Sequence, residues 1–184
     1  MTMTYAAVPV LRGCSDLAPW ADKAVSRDYD PSLRPAAAKA GATLGMAMTE
    51  KQGGSDLRAT STRAELTGDG WRLFGHKWFC SAPMSDAFLT LAQTPAGLSC
   101  FLVPRWTDAQ GGRNAIHLMR LKDKLGNRSN ASAEIEYHGA LAWPVGEPGR
   151  GITTILTMVH HTRLDTAIAP AGLMRAALSE AIYW

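Results

Sequence analysis

The sequence has few cysteines, no long apolar run and little surplus charge, and each shortage excludes a class of protein. Its 184 residues include three widely spaced cysteines, Cys14, Cys80 and Cys100. This odd count indicates neither a disulfide framework nor a zinc site and is typical of free thiols in a cytoplasmic protein. No apolar run approaches the roughly 20 residues of a membrane-spanning helix, and Met1 to Val10 lacks a secretory signal pattern. The net charge of +3 is too small to indicate nucleic acid or an acidic membrane by itself.

The first 44 residues are rich in alanine and contain several prolines. The prolines are expected to break this region into short pieces, at Pro9, Pro19, Pro31 and Pro35. Ala36 to Ala40 is a candidate helix. Apolar residues near the start, at Tyr5, Val8, Val10 and Leu11, predict packing against a partner surface, because the segment cannot build a core alone.

From about residue 45 to residue 147 the apolar pattern has the period of two that is typical of β-strands. An Asp-Gly pair at 69–70 lies between two such runs and predicts a hairpin. Several short strands with turn residues between them predict a small sandwich or barrel. The alternation in Ala133–Tyr137 predicts a strand with one solvated face. The strand candidates are Thr62–Leu66, Trp71–Phe74, Lys77–Cys80, Phe88–Ala92, Leu98–Val103, Ile116–Met119 and Ala133–Tyr137.

After Gly151 the pattern becomes helical. Apolar residues at i, i+3, i+4 and i+7 predict an amphipathic helix, which Pro170 is expected to kink or interrupt. A long amphipathic helix without a partner helix is not a finished structure, so we interpret the chain as a piece of a larger protein. The two apolar sets are Ile152, Ile155, Leu156 and Val159, then Met174, Leu178 and Ile182.

Three polar segments are candidates for a functional site. In Met46–Asp56 an apolar run opens into a loop with two glycines and a serine, and such a loop lets main-chain amides approach phosphate oxygens. The segment matches neither a GxGxxG fingerprint nor a Walker loop and, taken alone, is more typical of a surface loop. In Gly75–Ser81, Trp78 is able to cover a flat cofactor or to be a core residue. Leu121–Ser132 is typical of a charged turn.

Other polar residues favour structural interpretations. His76 and Lys77 are expected to be polar groups at a strand edge. His161 and Asp165 share a helix face, but two ligands are too few for a metal site, so we expect a polar helix face.

In their order and spacing the segments together resemble the acyl-CoA dehydrogenase superfamily. The family pattern is Thr-Glu-x-x-x-Gly-Ser-Asp, Gly-x-Lys-x-Trp, Leu-Gly-x-Arg-x-Ser and Gly-Glu-x-Gly-x-Gly, and its first and last parts are matched at 49–56 and 146–151. The two middle parts correspond to Gly75-His76-Lys77-Trp78 and Leu125-Gly126-Asn127-Arg128-Ser129, each one residue shorter than the pattern. The details are most similar to the alkylation-response branch, AidB. The resemblance covers nearly the whole chain.

The resemblance implies an α+β, mainly β fold: a middle β-barrel or sandwich domain flanked by partial helical domains. Residues 1–44 would be a remnant of an N-terminal helical domain, 45–147 the FAD-binding β-domain, and 148–184 the first helix of a truncated C-terminal bundle. The implied cofactor is FAD. Its flavin and pyrophosphate would be lined by Met46, Met48, Thr49, Gly54 and Ser55, and its isoalloxazine by Trp78 with Phe79, Cys80 and Ser81.

The implied activity is oxidation of an acyl-CoA by α-proton abstraction and hydride transfer to the flavin. Many relatives have a threonine where Cys80 lies, and a thiol is a weaker hydrogen-bond donor. The family's catalytic carboxylate would lie after Trp184. We therefore assign no catalytic residue in this chain and do not give the role to Glu50 or Glu180. We expect weak or absent FAD binding and no turnover. A homo-oligomer, dimer or tetramer, is implied for the longer protein. The alternative is an AidB-like DNA-associated protein with little turnover.

Overall fold

The computed structural model describes residues 2–107 and 112–184 as a mainly β, α+β fold, as the sequence predicts. Each predicted strand is present, and Trp71–Phe74 and Lys77–Cys80 belong to one long strand. The helices are α1 (Thr2–Arg12), α2 (Ala18–Ala24) and α3 (Gly151–Tyr183). The strands are β1 (Leu44–Ala47), β2 (Arg63–Thr67), β3 (Gly70–Ser81), β4 (Ala87–Thr94), β5 (Gly97–Pro104), β6 (Ile116–Leu121) and β7 (Ser132–Val145).

The strands form a barrel-like ring. They are hydrogen-bonded in the order β4–β2–β3–β7–β5, and β5 pairs with β4 again. β1 adds in parallel to β4, and β6 pairs with β7. The predicted hairpin is confirmed, since β2 and β3 pair from Thr67 with Gly70 to Arg63 with Phe74. The predicted solvated face of Ala133–Tyr137 is also confirmed, because the two glutamates alternate with buried residues.

A β-bulge in β3 decides which of its side chains point inward. Lys77 pairs with Ile135 and Cys80 with Ala133, so three steps along β3 match two along β7. As a result Lys77 and Cys80 are both fully buried, whereas Phe79 between them is 44% exposed. An extra residue of this kind is how a bulge re-aims the side chains on either side of it.

β4 and β5 separate two apolar cores. The inner core fills the ring and contains Phe88 and Phe101. The outer core lies between the other face of these strands and the helices, and it contains Leu89 and Leu102. Successive residues of a strand point to opposite faces, so alternate residues of β4 and β5 enter alternate cores. Both faces of these strands are therefore buried, and their sequences are continuous apolar runs.

The expectation that proline breaks the first region is wrong at Pro9. α1 runs through Pro9 from Thr2 to Arg12. A proline removes one main-chain hydrogen bond, and here the apolar face of α1, including Val10 and Leu11, is buried in the outer core. The predicted partner surface of this segment is therefore confirmed. Ala36–Ala38 forms a single 3₁₀ turn rather than a longer helix.

α3 is divided into a packed half and an exposed half. It continues through Pro170, so the helix is not interrupted there. Ile155 belongs to the outer core and Val159 is buried. The second predicted set, Met174, Leu178 and Ile182, is exposed. The helical prediction is confirmed. No helix within 2–107 and 112–184 has the length and apolarity to span a membrane.

Candidate functional site

Three consecutive contacts hold the glycine-containing loop against β3. The amide of Trp78 donates to the carbonyl oxygen of Thr49 over 2.7 Å. Nζ of Lys77 lies 2.7 Å from Oε1 of Glu50, and the amide of Lys51 donates to Nε2 of His76 over 3.0 Å. Residues 49–51 and 76–78 thus pair in antiparallel order. The structure therefore brings together two of the three segments that the sequence singles out.

Glu50 is the centre of this contact region. Its side chain is 1% exposed. Besides Lys77, it accepts hydrogen bonds from the amides and hydroxyls of Ser61 and Thr62 at 2.6 to 3.1 Å. Burial alone would raise the pKa of Glu50, but the charge of Lys77 and these hydrogen bonds outweigh it and hold the pKa well below its usual range. Glu50 is therefore an ionised residue that ties the loop to β2 and β3.

Lys77 is an internal residue, so the expectation of a strand-edge group is wrong for it. Its side chain is 0% exposed, and its Nζ also donates to the carbonyl oxygen of Leu91 at 2.9 Å. Burial lowers the pKa of Lys77 to about 8, against the opposing effect of Glu50. Lys77 lies four residues after the buried Leu73 and therefore on the same, inward face of β3.

The tip of the loop is compact but accessible. A Cβ atom added to Gly54 would lie 2.6 Å from Oγ1 of Thr49, so the loop folds back too closely for any larger residue. Gly53 has a φ of +128°, a left-handed conformation that favours glycine. Gly54 and Ser55 are exposed. The loop therefore presents main-chain amides and a hydroxyl to solvent beside a crowded base.

Trp78 is in contact with the third candidate segment. Nζ of Lys122 lies 3.3 Å from the centroid of the Trp78 ring and 4.8 Å from that of Phe79. Glu134 on β7 holds this ammonium at 2.5 Å, and the hydrogen bond from Lys122 lowers the pKa of Glu134. A cation over an indole face is an attractive pair. Sequence reasoning missed this role of Lys122, which follows from the pairing of β6 with β7.

The remaining candidate residues lie in different surroundings. Met46 and Met48 are half-buried against the outer core. Ser81 shares a 3.3 Å hydrogen bond with Ser132. The thiol of Cys80 is inside the ring, and burial raises its pKa to about 12. Only the main chain of Cys80 is therefore placed to meet a ligand on the outer side of β3.

The polar residues of α3 make structural contacts. The hydroxyl of Tyr5 donates to Oδ1 of Asp165 over 2.7 Å, which joins α1 to α3. Nδ1 of His161 lies 2.8 Å from the carbonyl oxygen of Thr157 one turn earlier. Across the part of the chain that the structure describes, no group of three or more histidine, cysteine or acidic side chains is arranged to hold a metal ion.

Comparison with known protein families shows which family has this fold. The family model described as "Acyl-CoA dehydrogenase, middle domain" matches residues 45–140, which is more than half of the chain. The chain therefore belongs to the acyl-CoA dehydrogenase family. The matched range includes all three contacts between the loop and β3.

Individual relatives show which members of the family the chain is similar to. The chain is 53% identical over 186 residues to the "Putative acyl-CoA dehydrogenase AidB" of Escherichia coli strain K12, covering 100% of this chain and 34% of that protein. The predicted resemblance to the AidB branch is confirmed. The structure is similar to that of Caenorhabditis elegans ACDH-11 in complex with C11-CoA, with a TM-score of 0.81 and 37% identity over 95% of this chain and 31% of that one.

A more distant relative has the same fold. A glutaryl-coenzyme A dehydrogenase in its glutaryl-CoA complex matches with a TM-score of 0.75 and 25% identity, over 100% of this chain and 44% of that chain. The chain spans between about a quarter and a third of the length of two curated relatives that it matches.

Proposed function

We propose that this chain is the FAD-binding portion of an acyl-CoA dehydrogenase-like flavoprotein, an oxidoreductase that acts on a CH–CH bond of an acyl-CoA. The observation that carries the proposal is the 2.7 Å hydrogen bond between the amide of Trp78 and the carbonyl oxygen of Thr49. It keeps a loop of small residues beside an aromatic side chain. Small residues admit phosphate groups, and an aromatic ring covers a flat cofactor.

The chemistry of these residues fits a dinucleotide. Exposed amides at Gly54 and the hydroxyl of Ser55 are donors that suit phosphate oxygens. The ammonium of Lys122 beside Trp78 adds a positive charge near a ligand that carries negative phosphates. Cys80 fits only through its main chain, since its thiol is buried.

In this proposal the chain binds and orients the cofactor. FAD, when bound, supplies the hydride acceptor. The loop and β1 would hold the flavin and its pyrophosphate, and β3 would exclude water from the ring. The residues concerned are Met46, Met48, Thr49, Gly54, Ser55, Trp78, Phe79, Cys80 and Ser81.

We expect this chain by itself to have no turnover. Removal of an α-proton requires a carboxylate that is free to accept it. Glu50 is not free, because it is 1% exposed and already accepts hydrogen bonds from Lys77, Ser61 and Thr62. Glu180 is exposed on the unpacked half of α3.

The arrangement of the longer protein is part of the proposal. Residues 1–44 and 148–184 would belong to helical domains on either side of a β-domain at 45–147. The exposed half of α3 supports a homo-oligomer or a larger helical bundle. Acyl-CoA is the proposed substrate, as named for the ACDH-11 complex. Free cysteines support a cytoplasmic location.

Titration of the purified chain with FAD, followed by ¹⁵N–¹H NMR, tests the cofactor assignment. We expect weak, saturable binding with shifts confined to residues 46–56 and 78–81. Trp78→Leu should abolish these shifts, whereas Trp143→Leu, a change to a tryptophan that packs on Trp20 instead, should preserve them. Shifts that lie outside residues 46–56 and 78–81, or that remain unchanged in Trp78→Leu, would overturn the assignment.

An AidB-like, DNA-associated function is the second candidate. It is favoured by the 53% identity to the AidB protein of Escherichia coli. Retention on duplex DNA that falls steeply with salt concentration would support it, and bleaching of bound flavin by an acyl-CoA would favour the dehydrogenase instead.

A further inference from the structure

We propose that His76 is a positioning residue for the loop of residues 49–56, and that it acts only as a neutral imidazole, so its hold on the loop weakens as the pH falls. The supporting contact is the 3.0 Å hydrogen bond from the amide of Lys51 to Nε2 of His76. A main-chain amide can only donate, so Nε2 is the unprotonated nitrogen and Nδ1 carries the proton. A second proton would place a hydrogen on Nε2, facing the amide, and the bond would be lost.

This bond is the outermost of the three contacts that hold the loop. The bond between the Trp78 amide and the Thr49 carbonyl involves no titrating group. The pKa of Glu50 is held far below neutrality, so its ion pair also persists on mild acidification. The Lys51 contact is therefore the one of the three that an added proton would break. The residues that it steadies are those that follow it, at the tip of the loop.

The charged groups around His76 come from two elements besides β3. On the loop side lie the Lys51 ammonium and the buried Glu50, which is paired with Lys77 of β3. On the β7 side lies Glu136, which is the register partner of His76.

Two further histidines lie beside Glu136 and provide an internal control. Nε2 of His138 is 2.8 Å from Oε2 of Glu136. The ring of His117 on β6 stacks on that of His138 with centroids 4.5 Å apart. The contacts found for these rings are with each other and with Glu136, so their protonation should leave the loop in place.

The effect of His76 on FAD binding rests on the proposed function, because the loop tip contains the candidate phosphate-contacting residues. Loss of one hydrogen bond corresponds to a change of about fivefold. We expect the FAD dissociation constant to rise about fivefold between pH 7.5 and pH 5.5.

Three forms of the chain test the inference: the unmodified chain, His76→Gln and His138→Gln. The carbonyl oxygen of a glutamine at 76 is able to accept from the Lys51 amide at every pH. His138→Gln removes a neighbouring imidazole that does not hold the loop. Imidazole ¹⁵N spectra at pH 7.5 report the tautomer of His76. Amide exchange at residues 51–55, corrected for intrinsic rates, reports the loop at both pH values without FAD.

We expect the Nδ1–H tautomer at His76 and about fivefold less protection of the Lys51 amide at pH 5.5. This pH dependence should disappear in His76→Gln and persist in His138→Gln. An Nε2–H tautomer, or the same pH dependence in His76→Gln, would overturn the inference. If the exchange results hold but the shifts that FAD causes lie outside residues 46–56 and 78–81, the proposed function fails and the role of His76 stands. If FAD binds while Lys51 protection is independent of pH, the role of His76 fails.

Discussion

Removing either member of the buried Glu50–Lys77 pair should destabilise the fold, and the two losses should differ in size. After Glu50→Gln, the Lys77 ammonium remains at 0% exposure with the Leu91 carbonyl as its remaining charge-compensating contact. An uncompensated buried charge of this kind costs about 4 kcal/mol. We therefore expect Glu50→Gln to lower the free energy of unfolding by about that amount.

Lys77→Met should cost less, about 2 kcal/mol, because the remaining charge keeps good partners. The Glu50 carboxylate would still accept from the amides and hydroxyls of Ser61 and Thr62. The double variant Glu50→Gln/Lys77→Met leaves no charge behind, so it should be more stable than Glu50→Gln alone.

The assay is urea-induced unfolding at pH 7 followed by circular dichroism. Arg63→Gln is the control, because it breaks an exposed ion pair with Glu65 and should barely move the midpoint. The pKa of Lys77 is lowered to about 8 in the folded chain, so the pair is present below that pH and is lost as Lys77 deprotonates above it. The loss of unfolding free energy caused by Glu50→Gln should therefore be smaller at pH 9.5 than at pH 7. A cost for Lys77→Met that equals or exceeds that for Glu50→Gln would refute this reasoning.

Three further experiments test other parts of the structure. Gly54→Ala places a Cβ atom 2.6 Å from Oγ1 of Thr49, so it should weaken FAD binding by NMR titration and cost about 1–3 kcal/mol in urea unfolding. Unchanged binding would contradict the crowding argument. Ile155→Ala should lower the free energy of unfolding by about 2–5 kcal/mol, because Ile155 is 0% exposed. Ile168→Ala changes a residue that is 57% exposed and should alter it by no more than about 0.5 kcal/mol. Equal losses for the two variants would show that α3 packs differently. Cys14 should react with a thiol reagent in the native state while the two buried cysteines do not, and rapid labelling of all three would disprove the burial.

Local patterns were sufficient for the elements and for the family. The Asp-Gly pair at 69–70 specifies a tight turn, and the alternation in Ala133–Tyr137 specifies a strand with one wet face, because both signals depend on neighbours in the chain. The predicted break at Pro9 is wrong for the complementary reason. The loss of one hydrogen bond at Pro9 is local, but the burial of Val10 and Leu11 that offsets it requires the rest of the outer core.

What the sequence by itself determined is the set of segments that matter: a small-residue loop at 49–56, an aromatic strand at 75–81 and a charged turn at 121–132. Their order and spacing identify the family. Only the tertiary structure decided how they meet. The loop places Glu50 against the inward Lys77, and the bulge after Lys77 turns Cys80 into the ring. The pairing of β6 with β7 carries Lys122 to the face of Trp78. A one-residue change in strand register reverses which side a residue faces, and no pattern within a single segment records that register.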